Sequence, residues 1–237
     1  MPKERIDKWI ASTTTLSRKE VKALLRQKRV TVNGVTVTDG GFQTDAEQDA
    51  VTVDGVPFSI KPHIYIMLNK PTGIVSASHS PKEKTVIDLV PPQLQRNGLF
   101  PAGRLDKDTT GFVLITDDGD FAHRILSPKN HIQKTYIAQL ERPISPAEIA
   151  ILKQGVVLRD GTQLLPASVQ ILGEDMQTVQ IRICEGKYHQ IKRMLAAVGN
   201  RVTALQRTHM GALPLDSALP PGACREITPE ELNKICE

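Results

Sequence analysis

The chain has 237 residues, 40% apolar and 24% charged, which fits one large or two smaller soluble globular domains. No run of about 20 apolar residues is present, so no membrane span is expected, and the charged start MPKERIDKWI is not expected to act as a signal peptide. The net charge is only +4, yet residues 1–38 hold nine Lys and Arg against three Asp and Glu, and residues 39–58 hold five acids and no base.

That basic block points to a phosphate-rich partner, although a solvated helix face explains it equally well. In RIDKWIAS, Ile6, Trp9 and Ile10 stand at helical spacing. A second helix follows in LSRKEVKALLRQK, where Ser17 and Glu20 form a capping box and Val21, Leu24 and Leu25 an apolar stripe. Arg18, Lys19, Lys22, Arg26 and Lys28 fall largely elsewhere on its surface. RVTVNGVTV predicts a hairpin turning at Asn33-Gly34, and a short strand is expected near AVTVDG. These segments resemble an S4-type RNA-binding module, and the resemblance implies RNA contact through the second helix and the turn into the hairpin, with Lys8, Arg18, Lys22, Arg26 and Arg29 as the contacting bases. The expected boundaries are 1–58 for this module, 59–62 for a linker and 63–237 for a second domain.

In the second domain HIYIMLNK, GFVLITDDGD, KTYIAQLE, TVQIRICEG and most of RVTALQRTHMGALPL read as strands. SPAEIAILKQG reads as a helix capped by Ser145 and Glu148, KYHQIKRMLAAVG as a helix, and TPEELNKI as a closing capped helix. Strands outnumber helices and their connections are mixed. The expected class is α+β, with a mixed, mainly antiparallel sheet and flanking helices rather than repeated βαβ units. The three cysteines, Cys184, Cys224 and Cys236, form no CxxC pair, so free thiols in a reducing cytosol are expected and a structural zinc site is not.

The stretch FPAGRLDKDTTG holds two acids, Asp106 and Asp108. Asp106-Lys-Asp108-Thr-Thr110 fits the short DxDxT nucleophile motif of haloacid-dehalogenase-type phosphatases, but that chemistry needs a buried parallel strand running into the first Asp. Pro101, Gly103 and Arg104 stand there instead, and the strand lies after the acids. TDDGD lacks the spaced ligands of a calcium loop and reads as a turn before a helix. Asp106 acting alone, as nucleophile or base, needs partners from elsewhere. In KYHQIKRMLAAVG, Ile191, Met194, Leu195 and Val198 form a core stripe, which leaves His189, Lys192, Arg193 and Ala196 on another face. Those three basic side chains could meet phosphates or a carboxylate, or simply face water.

AGRLDKDTTGFVLITDDGDFAHRILSPKNHIQKTY, EGKYHQIKRMLAAVGNRV and YIMLNKPTGIV together resemble the signature regions of RsuA-type ribosomal RNA pseudouridine synthases. With the S4-type module, the resemblance covers nearly the whole chain. It implies that Asp106 is the catalytic aspartate, that Tyr136 packs on the target uracil, and that Lys192 is the basic residue paired with the aspartate. Family members also carry Arg at that position; Lys supplies one charge without a fork. Arg104 is implied to hold the RNA open, with His189 and Arg193 as further RNA contacts. No cofactor and no metal are implied. GKYHQIKRM and NHIQKTY are closer to the small-subunit enzymes, which implies a 16S ribosomal RNA substrate, free or in a partly assembled subunit, with the uridine at position 516 in helix 18 as target. A paralogue acting on another ribosomal uridine would look the same, and a non-catalytic RNA-binding or assembly factor would share the basic module. A cytoplasmic monomer is expected.

Overall fold

A computed structural model of the protein describes residues 3–45, 48–58 and 63–236; the expected linker at 59–62 lies outside them. The chain divides into two compact units, one of residues 1–64 with 91–99, the other of residues 65–90 with 100–237.

In the first unit a short strand β1 (Glu4–Arg5) leads into α1 (Ile6–Thr13) and α2 (Arg18–Arg26). The hydroxyls of Thr13 and Thr14 donate to the carbonyls of Trp9 and Ile10 at 2.9 and 2.7 Å, competing with the helix ladder where α1 stops. The expected capping box is formed at Ser17 and Glu20. Strands β2 (Val30–Val32) and β3 (Val35–Thr36) turn at Asn33 and Gly34, both with positive φ, as a two-residue hairpin with the favoured twist requires. After β4 (Gln43–Thr44), strands β5 (Val51–Val53) and β6 (Val56–Phe58) form a second hairpin at Asp54-Gly55, where the sequence reading placed one short strand. The core of this unit gathers Ile6, Trp9, Ile10, Val21, Leu25, Val30, Val32 and Val51.

The second unit is built on β7 (Tyr65–Lys70), β8 (Phe100–Ala102), β9 (Thr110–Thr116), β10 (Lys134–Leu140), β11 (Ser168–Ile171), β12 (Thr178–Ile183), β13 (Val202–Met210), β14 (Leu213–Pro214) and β15 (Cys224–Glu226). Among the described residues they form one sheet in the order β11-β12-β10-β13-β9-β7-β15, with β14 beside β13 and β8 beside β9. Among these strand pairings of the described residues only β13–β9 is parallel. The fold class is thus the expected mixed, mainly antiparallel one. The segment before Asp106, read as strandless, contains β8, a three-residue antiparallel strand whose Pro101 is tolerated at such a position.

Among the described residues four α-helices complete this unit: α3 (Gly119–Leu126), α4 (Pro146–Gln154), α5 (Gln190–Ala197) and α6 (Pro229–Ile235). Asp118 caps α3, α4 has the expected capping box, and α6, expected as a capped helix, has a capping box at Thr228 and Glu231. Helix α5 starts later than expected, at Gln190, with His189 as a left-handed N-cap at φ 47°. Its stripe is buried at Ile191, Met194 and Leu195, while Val198 is half-buried just past the last turn. Apolar side chains of β7, β9, α3 and the carboxyl-terminal segment form a core that includes Met67, Phe112, Leu114, Phe121, Ile125 and Ile235.

Candidate active site

The strand register builds one wall. Tyr136 of β10 lies opposite Ile181 of β12, two residues before Ile183, and Ala138 lies opposite Leu205 of β13. With side chains alternating along each strand, Tyr136, Ile183 and Leu205 share a face. A bulge in the β10–β13 pairing falls next to Tyr136, the kind of irregularity that re-aims a side chain beside a site. Tyr136 is buried, and with Ile183 and Leu205 it lines a small open cleft that Arg104, Asp106, Thr109, His189 and Lys192 also line.

The opposite wall is the Asp106 loop. Gly103 turns the chain out of β8 with φ 94°, and the turn Asp106–Thr109 closes with the Thr109 amide donating to the Asp106 carbonyl at 3.1 Å. The amide of Leu105 donates to Ser76 Oγ at 3.1 Å, and that of Gly73 to the Lys107 carbonyl at 2.8 Å. Beneath the loop lies Lys70, whose ammonium donates to the carbonyls of Pro71, Lys107 and Thr109 at 3.1, 3.1 and 2.8 Å. Burial lowers its pKa to about 8, against the attraction of Asp108 and Asp106. On the far side Arg207, also buried, donates from Nε to the Phe112 carbonyl at 2.7 Å and from its terminal nitrogen to that of Gly103 at 3.3 Å. The loop is therefore gripped through its backbone at both ends, leaving the carboxylate of Asp106 free for the cleft.

Lys192 Nζ stands 3.0 Å from Asp106 Oδ2 and 2.6 Å from Asp108 Oδ1. Partial burial opposes its charge, but the two carboxylates outweigh that and raise its pKa. The bond from Lys192 holds the exposed Asp108 carboxyl below its usual range, against some burial. His189 Nε2 lies 3.5 Å from Asp106 Oδ1. Thus Arg104, Asp106, Tyr136, His189 and Lys192 come together at one cleft. His189 reaches it as a loop residue, not from the helical face the sequence suggested, because the helix has not yet begun.

Arg193 is engaged elsewhere, in an ion pair with Asp160 and a 3.5 Å bond to the Tyr188 carbonyl. In the first unit Arg18 and Lys22 lie 3.2 and 3.8 Å from the buried carboxylate of Asp7, which Arg5 also meets at 3.0 Å. The Arg5 hydrogen bond, against burial and with help from Arg18, lowers the Asp7 pKa to about 2. Lys8 pairs with Glu4, Arg29 makes a bidentate pair with Asp54 at 2.6 Å, and Arg26 is exposed. Sequence reasoning missed Lys70, Arg207 and Asp7. Lys70, which follows the polar Asn69 at the end of β7, carries no local signal that separates it from a surface lysine.

A small module with a basic helix precedes, in sequence, a unit whose cleft brings together a carboxylate, an ammonium and a buried aromatic ring. Residues 4–51 match the S4 domain, and residues 64–197 match the RNA pseudouridylate synthase family. The chain is 45% identical to an uncharacterized RNA pseudouridine synthase of Bacillus subtilis (strain 168), over 98% of each chain. It is 42% identical to ribosomal small subunit pseudouridine synthase A of Yersinia pestis, covering 98% of this chain and 97% of that one. A crystal structure of a pseudouridylate synthase superposes with a TM-score of 0.68 at 39% identity, covering 98% of this chain and 99% of that one. The chain belongs to the RNA pseudouridylate synthase family, and is an isomerase acting on uridine in RNA.

Proposed function

We propose that this isomerase converts one uridine of 16S ribosomal RNA to pseudouridine, the uridine at position 516 in helix 18, with Asp106 as the group that starts the reaction. The similarity to small-subunit synthases supports the RNA class. The observation that carries the catalytic assignment is the Asp106 carboxylate facing the cleft with Lys192 at 3.0 Å, beside the ring of Tyr136.

The uridine must leave its stack to enter such a cleft. Asp106 then acts on the sugar at C1′ or on the ring at C6, or takes a sugar proton. The N1–C1′ bond breaks, the uracil turns, a C5–C1′ bond forms, the C5 proton leaves and N1, freed from the sugar, takes up a proton, so substrate and product have the same atoms. Tyr136 holds the loose ring flat, and Ile183 and Leu205 keep water from it. Lys192 stabilises charge on Asp106 as it changes. Arg104, exposed at the rim, and His189 hold the opened strand, and Arg193 supports the loop that carries His189. In the S4 module, residues 1–58, Lys8, Arg18, Lys22, Arg26 and Arg29 present positive charge to the RNA backbone, and position more than they specify. The protein acts as a cytoplasmic monomer, without cofactor or metal, on free 16S RNA or a partly assembled subunit.

The test is tritium release from 16S RNA labelled at uracil C5, in the presence of a chelator. Wild type should release tritium, and Asp106→Asn should release none while still binding RNA. Release by the variant would remove Asp106 from the chemistry. Release from an assembled particle but not from free RNA would fix the substrate form, and mapping the product would fix the uridine.

A further inference from the structure

Tyr188 is 75% exposed, an unusual state for a large ring, and it lies beside the cleft. Its ring stacks on that of His189 with centroids 3.8 Å apart and planes 19° from parallel, and His189 in turn reaches to 3.5 Å from Asp106. The exposed face of Tyr188 is thus one ring away from the edge of the catalytic cleft.

The backbone beneath it is fixed. Gln190 accepts from the Lys187 amide at 2.9 Å and donates to buried Glu185 at 2.9 Å, while Glu185 also accepts from the Leu165 amide at 2.8 Å. Arg193 donates to the Tyr188 carbonyl. These bonds hold the segment from both sides, so the ring is presented with little left to order on binding.

Flipping a nucleotide leaves its neighbours in the strand with an uncovered face. We propose that Tyr188 is the stacking platform for the base next to the flipped uridine, an inference that rests on the uridine-flipping reading above. A base on the outer face of Tyr188 would continue a stack of base, tyrosine and imidazole into the cleft rim. RNA engagement would then also fix His189 beside Asp106. Such stacking accepts any base, so Tyr188 contributes affinity and registration of the opened strand rather than base identity.

The test uses a 16S helix 18 fragment carrying 2-aminopurine beside the target uridine, on one side and then the other. Wild type and Tyr188→Phe should quench the fluorescence on one side, and Tyr188→Ala should not. In tritium-release kinetics Tyr188→Ala should raise the half-saturating RNA concentration about 5- to 160-fold, the range of one base–aromatic stack, with a smaller effect on kcat. Tyr188→Phe should restore the lower value. Unaltered quenching and half-saturation in Tyr188→Ala would overturn the proposal. So would a loss confined to kcat, which would make Tyr188 a mere prop for His189. Failure of wild type to release tritium from free 16S RNA and from an assembled particle alike would instead overturn the 16S reading on which the proposal stands.

Discussion

Lys70 carries the tightest restraint on the reactive loop. Its side chain is wholly buried, and its partners are the carbonyls of Pro71, Lys107 and Thr109 rather than a carboxylate. One ammonium thereby fixes the backbone on either side of Asp108 and, through the turn, the direction of Asp106. Lys70→Met keeps the length and removes the donors, so turnover should fall roughly 10- to 100-fold through misplacement of Asp106. The pH dependence supplies a second readout. Burial lowers the folded-state pKa from 10.5 to about 8, so between those values the unfolded chain binds more protons. Lys70 therefore destabilises the fold most below pH 8, and its contribution improves as pH rises toward 10.5. Urea midpoints measured from pH 7 to 9.5 should gain with pH relative to Lys70→Met. Parallel curves for the two proteins would show that the ammonium is not held in this way.

Among the elements, the junction of β9 and β13 is the most demanding. It is the sheet's parallel pairing, and Gly111 sits there with φ 96°. A Cβ at Gly111 would lie 2.2 Å from the Arg207 carbonyl oxygen, so neither the conformation nor the space admits a side chain. Gly111→Ala should destabilise the protein by about 3 kcal/mol and lower the melting temperature by roughly 6–12 °C in calorimetry. Gly119→Ala, where a Cβ meets nothing within 4 Å, should be near neutral. Equal effects would remove the close approach as the cause. This junction was not legible in the sequence, because strand order depends on contacts between residues nearly a hundred positions apart. What was legible is local. The capping boxes of α2, α4 and α6 and the Asn33-Gly34 turn place their own hydrogen bonds within a few residues. The start of α5 was misjudged by three residues because Glu185 and Gln190 pull the preceding segment into a loop, and a left-handed histidine leaves no mark in the pattern. At the site, the acid and the basic residues could be picked out as chemistry-bearing types, but the residues that grip the loop from below could not. A buried lysine and a buried arginine serving carbonyls look, in sequence, like surface charges.

For the molecule as a whole, the charge is divided as the two tasks require. The surplus of positive charge belongs to residues 1–38, while in the cleft the Lys192 ammonium stands between the carboxylates of Asp106 and Asp108. Within the basic block the groups are not equivalent. Arg29 is committed to Asp54 by two short bonds, and Arg18 and Lys22 lean on the buried Asp7, which orders them without cancelling the surplus. Lys22 and the exposed Arg26 lie one turn apart on α2, so a single stretch of phosphate backbone can meet both. Each phosphate neutralised releases counterions, and the dependence of binding on salt counts those contacts. The double substitution Lys22→Ala with Arg26→Ala should weaken binding to 16S RNA and make the slope of log affinity against log salt shallower by roughly 2, one per contact. Turnover at saturating RNA should fall less than affinity does, because neither residue lines the cleft. The measurement is a filter-binding titration of both proteins across a series of salt concentrations. An unchanged affinity and slope would move the electrostatic footprint off α2, and the basic block would then be a solvated helix face.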